Sequence, residues 1–403
     1  MKRLYTIVAV SALAAGGAFA NPAAALDKDG NIVVGYARSS SGWMQNYSVP
    51  PTKAGEIMIE ELNAAGGLLG KKIVTVYADA KTDRVESAKA GQTVVDQGAD
   101  LVMVDCDYDF GAPAALAAEN AKLISIFLCA ESALAGIEGV GPHSFSGSVL
   151  AAVQGAIMAE WGFKKRGWKT AYILLDDGNE YNKGICFGFD WMWRKLGGEI
   201  LGHDVFKNED PSIAAQITRI KGLAKAPDFI QMCTYVPGGA SAVKQIRAAG
   251  INTPLGQGSS MTGSHWHNCC PNLTDVYIPE QGSIYGDDPN PKVEEFNKKF
   301  EKNTGVRPES QYVYPGYVGI YVWALAVKRA NTLDAGAVVA EMEKMRDEPT
   351  LFGPRTFTNT LHHQNKAEMR IMGVMNGKAG VADVWKLSEA VPTEVLFGQE
   401  YKY

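Results

Sequence analysis

The chain alternates short apolar runs with longer segments whose apolar residues recur on one helical face. Ile32-Val33-Val34-Gly35-Tyr36 is a strand-like run ending in a Ser/Gly loop. From Thr52 to Ala65, the residues Ala54, Ile57, Met58, Leu62 and Ala65 share a helical face, and Gly66-Gly67 stops the helix. Ile73 to Tyr77 alternates as a strand, Val85, Ala88 and Val95 mark a helix, and Leu101-Val102-Met103-Val104 is a buried strand. An Ala-rich helix follows Pro113, and Leu123 to Leu128 is the next strand. Successive βα units of this kind predict a parallel sheet with helices on both faces.

The pattern restarts after Ser148. Helix 148–161, strand 171–175, a Trp- and Phe-rich helix, strand 199–206, helix 212–224, strand 228–232 and helix 239–249 make a second doubly wound unit. A Gly- and polar-rich stretch from Gly256 to Asn272 leads to Tyr277. Helices 291–303, 315–330 and 334–346 follow, then short strands over 370–375 and 381–387. No internal repeat of solenoid period is present.

The first twenty residues stand outside this pattern. Lys2 and Arg3 precede an uncharged apolar stretch from Leu4 to Ala20, and Ala18-Phe19-Ala20 is an A-x-A cleavage signal. Residues 1–20 therefore read as a secretory signal peptide rather than a membrane anchor, and a second small-residue site ends at Ala25. The short positive region suits a bacterial periplasmic protein. Its removal takes two positive charges from a formal net charge of −5.

Composition adds bounds. At 403 residues, 46% hydrophobic and 21% charged, the chain is an ordinary folded protein of two or three domains. A net negative charge argues against nucleic acid as partner. Cys106, Cys129, Cys186, Cys233, Cys269 and Cys270 are even in number in a compartment that permits disulfides, but their pairing is open. Cys129 and Cys233, which follow apolar runs, read as buried thiols.

In open α/β sheets, ligands lie beyond the carboxyl ends of the strands. The loops there carry Ser39-Ser40-Ser41-Gly42-Trp43 with Tyr47, Asp105-Cys106-Asp107-Tyr108-Asp109, and Cys129-Ala130-Glu131-Ser132. The second unit supplies Asp176-Asp177-Gly178-Asn179-Glu180-Tyr181, Thr234-Tyr235 and Gln257-Gly258-Ser259-Ser260. Rings beside a few polar groups suit a small-molecule site, against the plainer reading of solvated loops. If 105–109 stays extended, its three acids share one face and favour a cationic ligand or a hard metal ion, although the spacing lacks the calcium-loop Gly and Glu.

His265-Trp266-His267-Asn268-Cys269-Cys270 lacks zinc-ligand spacing, so a disulfide using Cys269 or Cys270 is the better reading. His362-His363 reads as surface. Nucleophile-elbow, phosphate-loop, zinc-protease and dinucleotide motifs are absent, no catalytic or metal residue is assigned, and no cofactor is expected.

The order Glu61-Leu62-Asn63-Ala64-Ala65-Gly66-Gly67-Leu68-Leu69-Gly70-Lys71-Lys72-Ile73, with Asp79 after it, resembles the type I periplasmic solute-binding proteins of the branched-chain amino acid ABC-transporter family. The resemblance continues through Val94 to Asp100, Ala112-Pro113-Ala114, Asp176 to Gly184, Ala242 to Gly250 and Phe352-Gly353-Pro354. It implies two doubly wound parallel-sheet α/β lobes joined by three hinge crossovers. Residues 28–146 with 284–354 would form one lobe, and 147–283 with 355–403 the other. It implies a monomer that captures a small polar solute in the cleft and passes it to membrane permease subunits, with no enzymatic activity. The same fold also serves receptor-coupled sensors, and an exported metal-dependent enzyme is the remaining alternative.

The ligand-binding positions that follow are Trp43, Tyr47, Asp107, Tyr108, Asp109, Cys129, Ala130, Glu131, Tyr181, Tyr235, Gln257 and Gly258. They depart from the family in three places. The Ser/Thr-rich loop is here Asp107-Tyr108-Asp109-Phe110, the small-residue loop is Leu128-Cys129-Ala130-Glu131, and the ammonium-binding acid falls on Gln257 or Gly258. A site without those two poles should not hold a standard branched-chain amino acid.

Overall fold

The run with no polar residue, Leu101–Val104 (β3), is the centre of a five-stranded parallel sheet in the order β2-β1-β3-β4-β5. Its neighbours are Ile32–Arg38 (β1), Ile73–Asp79 (β2), Ile124–Phe127 (β4) and Ser144–Ser146 (β5). All four β3 side chains are buried because helices cover both faces of the sheet. The structure, a computed structural model, describes residues 29–270 and 272–398. The expected signal peptide lies outside the described residues.

The helices of this lobe are Gln45–Ala64 (α1), Arg84–Asp96 (α2) and Tyr108–Asn120 (α3). α1 starts well before the expected Thr52, with Pro50 and Pro51 inside it. Gly66 and Gly67, at φ 98° and 83°, end it in backbone conformations that favour glycine.

The second sheet has seven strands. Thr170–Asp176 (β6), Glu199–Phe206 (β7), Phe229–Cys233 (β8), Leu255–Gly256 (β9) and Val276–Glu280 (β10) run parallel, while Glu368–Met375 (β11) and Lys378–Lys386 (β12) are antiparallel. β11, antiparallel to both β10 and β12, extends an otherwise parallel sheet. Asn376 and Gly377, both at positive φ, make the two-residue hairpin turn that forces β12 back along β11. Ala151–Lys164 (α4), Glu180–Lys195 (α5), Ala214–Lys221 (α6) and Gly238–Ala248 (α7) belong to this unit.

Pro291–Thr304 (α8), Val313–Ala330 (α9) and Ala335–Met342 (α10) return to the first sheet. Tyr314, Val318, Trp323 and Val327 of α9 are buried in one apolar cluster with Ile32, Val34, Ile57 and Leu101. The chain therefore passes between lobes three times, after β5, after β10 and after α10. Arg355, 1% exposed, ties these passes together. Its Nε donates to the Gly147 carbonyl at 2.7 Å, its Nη2 to Gln281 Oε1 at 2.6 Å, and its Nη1 to the carbonyls of Phe352, Gly353 and Pro354. Burial without a carboxylate pulls the guanidinium down to about 9.

Two further expectations are overturned. Cys106 pairs with Cys129 and Cys186 with Cys233, while Cys269 and Cys270 are free. The pairing follows strand adjacency: β3 and β4 are hydrogen-bonded neighbours, so the cysteines beyond their ends meet at a Cα–Cα distance of 4.4 Å. His362 and His363 are buried rather than on the surface. His362 stacks on Phe145 at 3.7 Å, and burial pulls His363 down to about 3.

Candidate functional site: a ring-lined cleft between the lobes

The carboxyl ends of both sheets face one another across a cleft. From the first lobe it is lined by Trp43, Met44, Tyr47, Cys106, Asp107, Cys129, Glu131 and Tyr312. From the second come Asn179, Tyr181, Tyr235 and Ser260. The cleft is shut. Trp43 stacks on Tyr235 at 5.4 Å across the mouth, and the Tyr47 hydroxyl reaches the carbonyls of Ser260 and Val236 at 3.4 and 3.5 Å.

Asp107 is the N-cap of α3, its Oδ1 accepting from the Asp109 backbone N–H at 2.8 Å. Burial pushes its carboxyl up to about 8, with the charge of Asp109 adding to the effect. Among the described residues it has no ion-pair partner within 4.0 Å. Glu131 is more completely held. Its Oε1 accepts from Ser148 Oγ at 2.9 Å, and its Oε2 accepts from Ser259 Oγ at 2.7 Å and the Tyr312 hydroxyl at 3.3 Å. Burial still pushes it up to about 7, against these hydrogen bonds and one from Gln154.

Gln281 Nε2 donates to Ser148 Oγ at 3.2 Å, so Arg355, Gln281, Ser148 and Glu131 form one hydrogen-bond chain from the crossovers to the cavity wall.

The three aspartates expected on one face have three duties, because the chain turns into α3 directly after Asp107. Asp105 accepts from Ser39 N, Ser39 Oγ and Ser48 Oγ at 2.6 to 2.8 Å and fixes the loop beside α1. Asp107 faces the cavity. Asp109 pairs with Arg84 at 3.1 Å and accepts from the Glu180 backbone N–H of the other lobe at 3.1 Å. Among the described residues, no group of three or more His, Cys, Asp or Glu is placed to hold a metal ion.

Of the twelve residues singled out from sequence, Trp43, Tyr47, Asp107, Cys129, Glu131, Tyr181 and Tyr235 line the cavity. Five stand outside its wall. Tyr108 packs toward Phe127, Asp109 is the cross-lobe contact just described, and Ala130 is buried with its carbonyl accepting from Ser146 Oγ. Gln257 is fully buried with Nε2 on Met232 Sδ at 3.3 Å. Gly258 supports the site indirectly, since an added Cβ there would come within 2.5 Å of the Tyr181 hydroxyl. Met44, Cys106, Asn179, Ser260 and Tyr312 complete the wall. Cys106, Asn179 and Ser260 sit in loops that the strand-end rule marks. Tyr312 carries no such signal, because it precedes a buried helix some 180 residues downstream of Glu131, whose carboxylate it meets.

Three comparisons bear on this geometry. A family model described as "Periplasmic binding protein" matches residues 31–379. The Leu/Ile/Val-binding protein homolog 3 of Brucella melitensis is 23% identical over 341 residues, covering 82% of this chain and 88% of that one. The Streptococcus pneumoniae substrate-binding protein LivJ, solved with isoleucine, superposes with a TM-score of 0.75 at 24% identity, over 88% of this chain and 99% of that one. A Rhodopseudomonas palustris solute-binding protein, solved with 3,4-dihydroxybenzoic acid, gives 0.72 at 20% identity, over 89% and 98%.

Proposed function

Because the chain belongs to the periplasmic binding protein family, we propose that it is the substrate-binding component of an ABC importer. It is exported by its first twenty residues, captures a small polar solute in the cleft, and presents the closed form to permease subunits. The observation that carries this reading is the closed cavity itself. Both lobes contribute wall residues, and Trp43–Tyr235 and Tyr47–Ser260 contacts seal it. Residues 28–146 with 284–354 and 147–283 with 355–403 act as the two moving bodies, a division supported by the separate apolar clusters around the two sheets.

The solute is not a branched-chain amino acid. An α-carboxylate needs donors, and the backbone N–H groups at the start of α3 that would serve are occupied by Asp107 itself. Among the described residues, two carboxyl groups and no Arg, Lys or His line the cavity. A thermal-shift screen of the mature protein against amino acids, amines, polyols and aromatic acids tests this reading. Stabilisation by a non-amino-acid solute is expected, and strong stabilisation by leucine or valine alone would overturn it.

A further inference from the structure

We propose that the solute is an alkylated organic ammonium ion, seated among the rings of Trp43, Tyr47, Tyr181, Tyr235 and Tyr312 with Asp107 as its counter-ion. This deepens the importer reading and rests on it.

Charge comes first. Among the described residues the cavity wall has two acids and no base, so an anionic solute would meet like charge with nothing there to offset it. The two acids are not equivalent. Glu131 is saturated by hydroxyl and amide donors, whereas Asp107 has only the backbone N–H groups of its own helix. An uncompensated carboxyl in a closed, ring-lined space is costly to ionise, and burial accordingly holds Asp107 up near 8. A cation beside it removes that cost.

The rings come second. The hydroxyls of Tyr47, Tyr181 and Tyr312 are already engaged, by the Ser260 carbonyl, the Ser260 N–H at 2.9 Å, and the Ser259–Glu131 pair. What these residues still offer a ligand is aromatic surface. A polyol would find few free partners there, whereas a diffuse cation needs ring surface and one counter-charge. The shortage of free acceptors also favours an alkylated ammonium over a primary one, whose three N–H donors would each need a partner.

The test is calorimetric titration of the mature protein with choline and tetramethylammonium, against 3,3-dimethylbutan-1-ol, the uncharged isostere of choline. Choline should bind at least about tenfold more tightly than the alcohol. Asp107→Asn keeps an N-cap side chain, so the helix start is preserved, and should lose about tenfold or more in choline affinity while leaving the alcohol unchanged.

Equal binding of choline and the alcohol, or an Asp107→Asn protein with unchanged choline affinity, would overturn the proposal. Tighter binding of leucine, benzoate or a polyol than of either cation overturns it too, yet leaves the importer reading standing for a polyol or benzoate. Failure of every compound in the panel, together with no small molecule released from gently purified protein, overturns both.

Discussion

The two walls of the cleft are built differently. The first-lobe wall holds both carboxyl groups and a disulfide, Cys106–Cys129, at the cavity surface. The second-lobe wall is uncharged, being Asn179, Tyr181, Tyr235 and Ser260, and its disulfide, Cys186–Cys233, lies in the apolar core behind it. On the proposed reading, charge selection belongs to one lobe, while rings come from both, Trp43, Tyr47 and Tyr312 from the first and Tyr181 and Tyr235 from the second. A clamp so divided can hold its counter-charge ready before the solute arrives, which lowers the cost of ordering on binding.

The two disulfides give the sharpest contrast. Replacing both cysteines of Cys186–Cys233, separated by 47 residues, should cost about 4 kcal/mol of folding stability in denaturant titration and leave affinity intact. Replacing both of Cys106–Cys129, separated by 23 residues, should cost about 3 kcal/mol and also weaken binding, because the loops carrying Asp107 and Glu131 lose their tie. Equal effects on affinity would erase the distinction between the walls.

Arg355→Met should cost roughly 3 kcal/mol in the same measurement, since several buried carbonyls and Gln281 lose their donor. At the mouth, Tyr235→Ala should weaken solute binding about tenfold and Tyr235→Phe about twofold or less, as only the ring meets Trp43.

The smallest effect concerns pH. Glu280, buried at the end of β10, is pushed up to about 8 by burial. A carboxyl raised in the folded state takes up protons that the unfolded chain has released. Its stabilising contribution is full below the unfolded value near 4.5 and is lost as pH rises to about 8. Glu280→Gln should therefore be more stable than the parent at pH 8, with the gain fading toward pH 4.5. His363, held near 3, opposes this on the acid side, where stability falls as pH drops below the unfolded value of 6.5.

Much of the fold was legible because parallel strands buried on both faces leave unbroken apolar runs. Leu101–Val104 and Thr170–Asp176 fall where the pattern puts them. The three-residue β5 and two-residue β9 were too short to leave a period. Strand-end loops led to Trp43, Tyr47, Asp107, Glu131, Tyr181 and Tyr235 in the cavity wall. The remainder depended on distance in space. Tyr312 directly precedes a helix packed on the first lobe's sheet, and Cys106 meets Cys129 because β3 and β4 are neighbours. His362-His363 is polar in composition yet lies under the third crossover, where Ser144 and Phe145 enclose it. Asp107 and Asp109 diverge because a helix begins between them.

The guanidinium that joins the three crossovers has a mechanical consequence. Parallel strips pinned at one common point cannot shear past one another; they can only swing and twist about the pin. With residues 147, 281 and 355 gathered on Arg355, translation between the lobes would break several buried hydrogen bonds at once, while rotation about that point leaves them intact. On the proposed reading, the clamp's soft motions are thus rotations about that point. The hydrogen-bond chain to Glu131 couples the cavity wall to it.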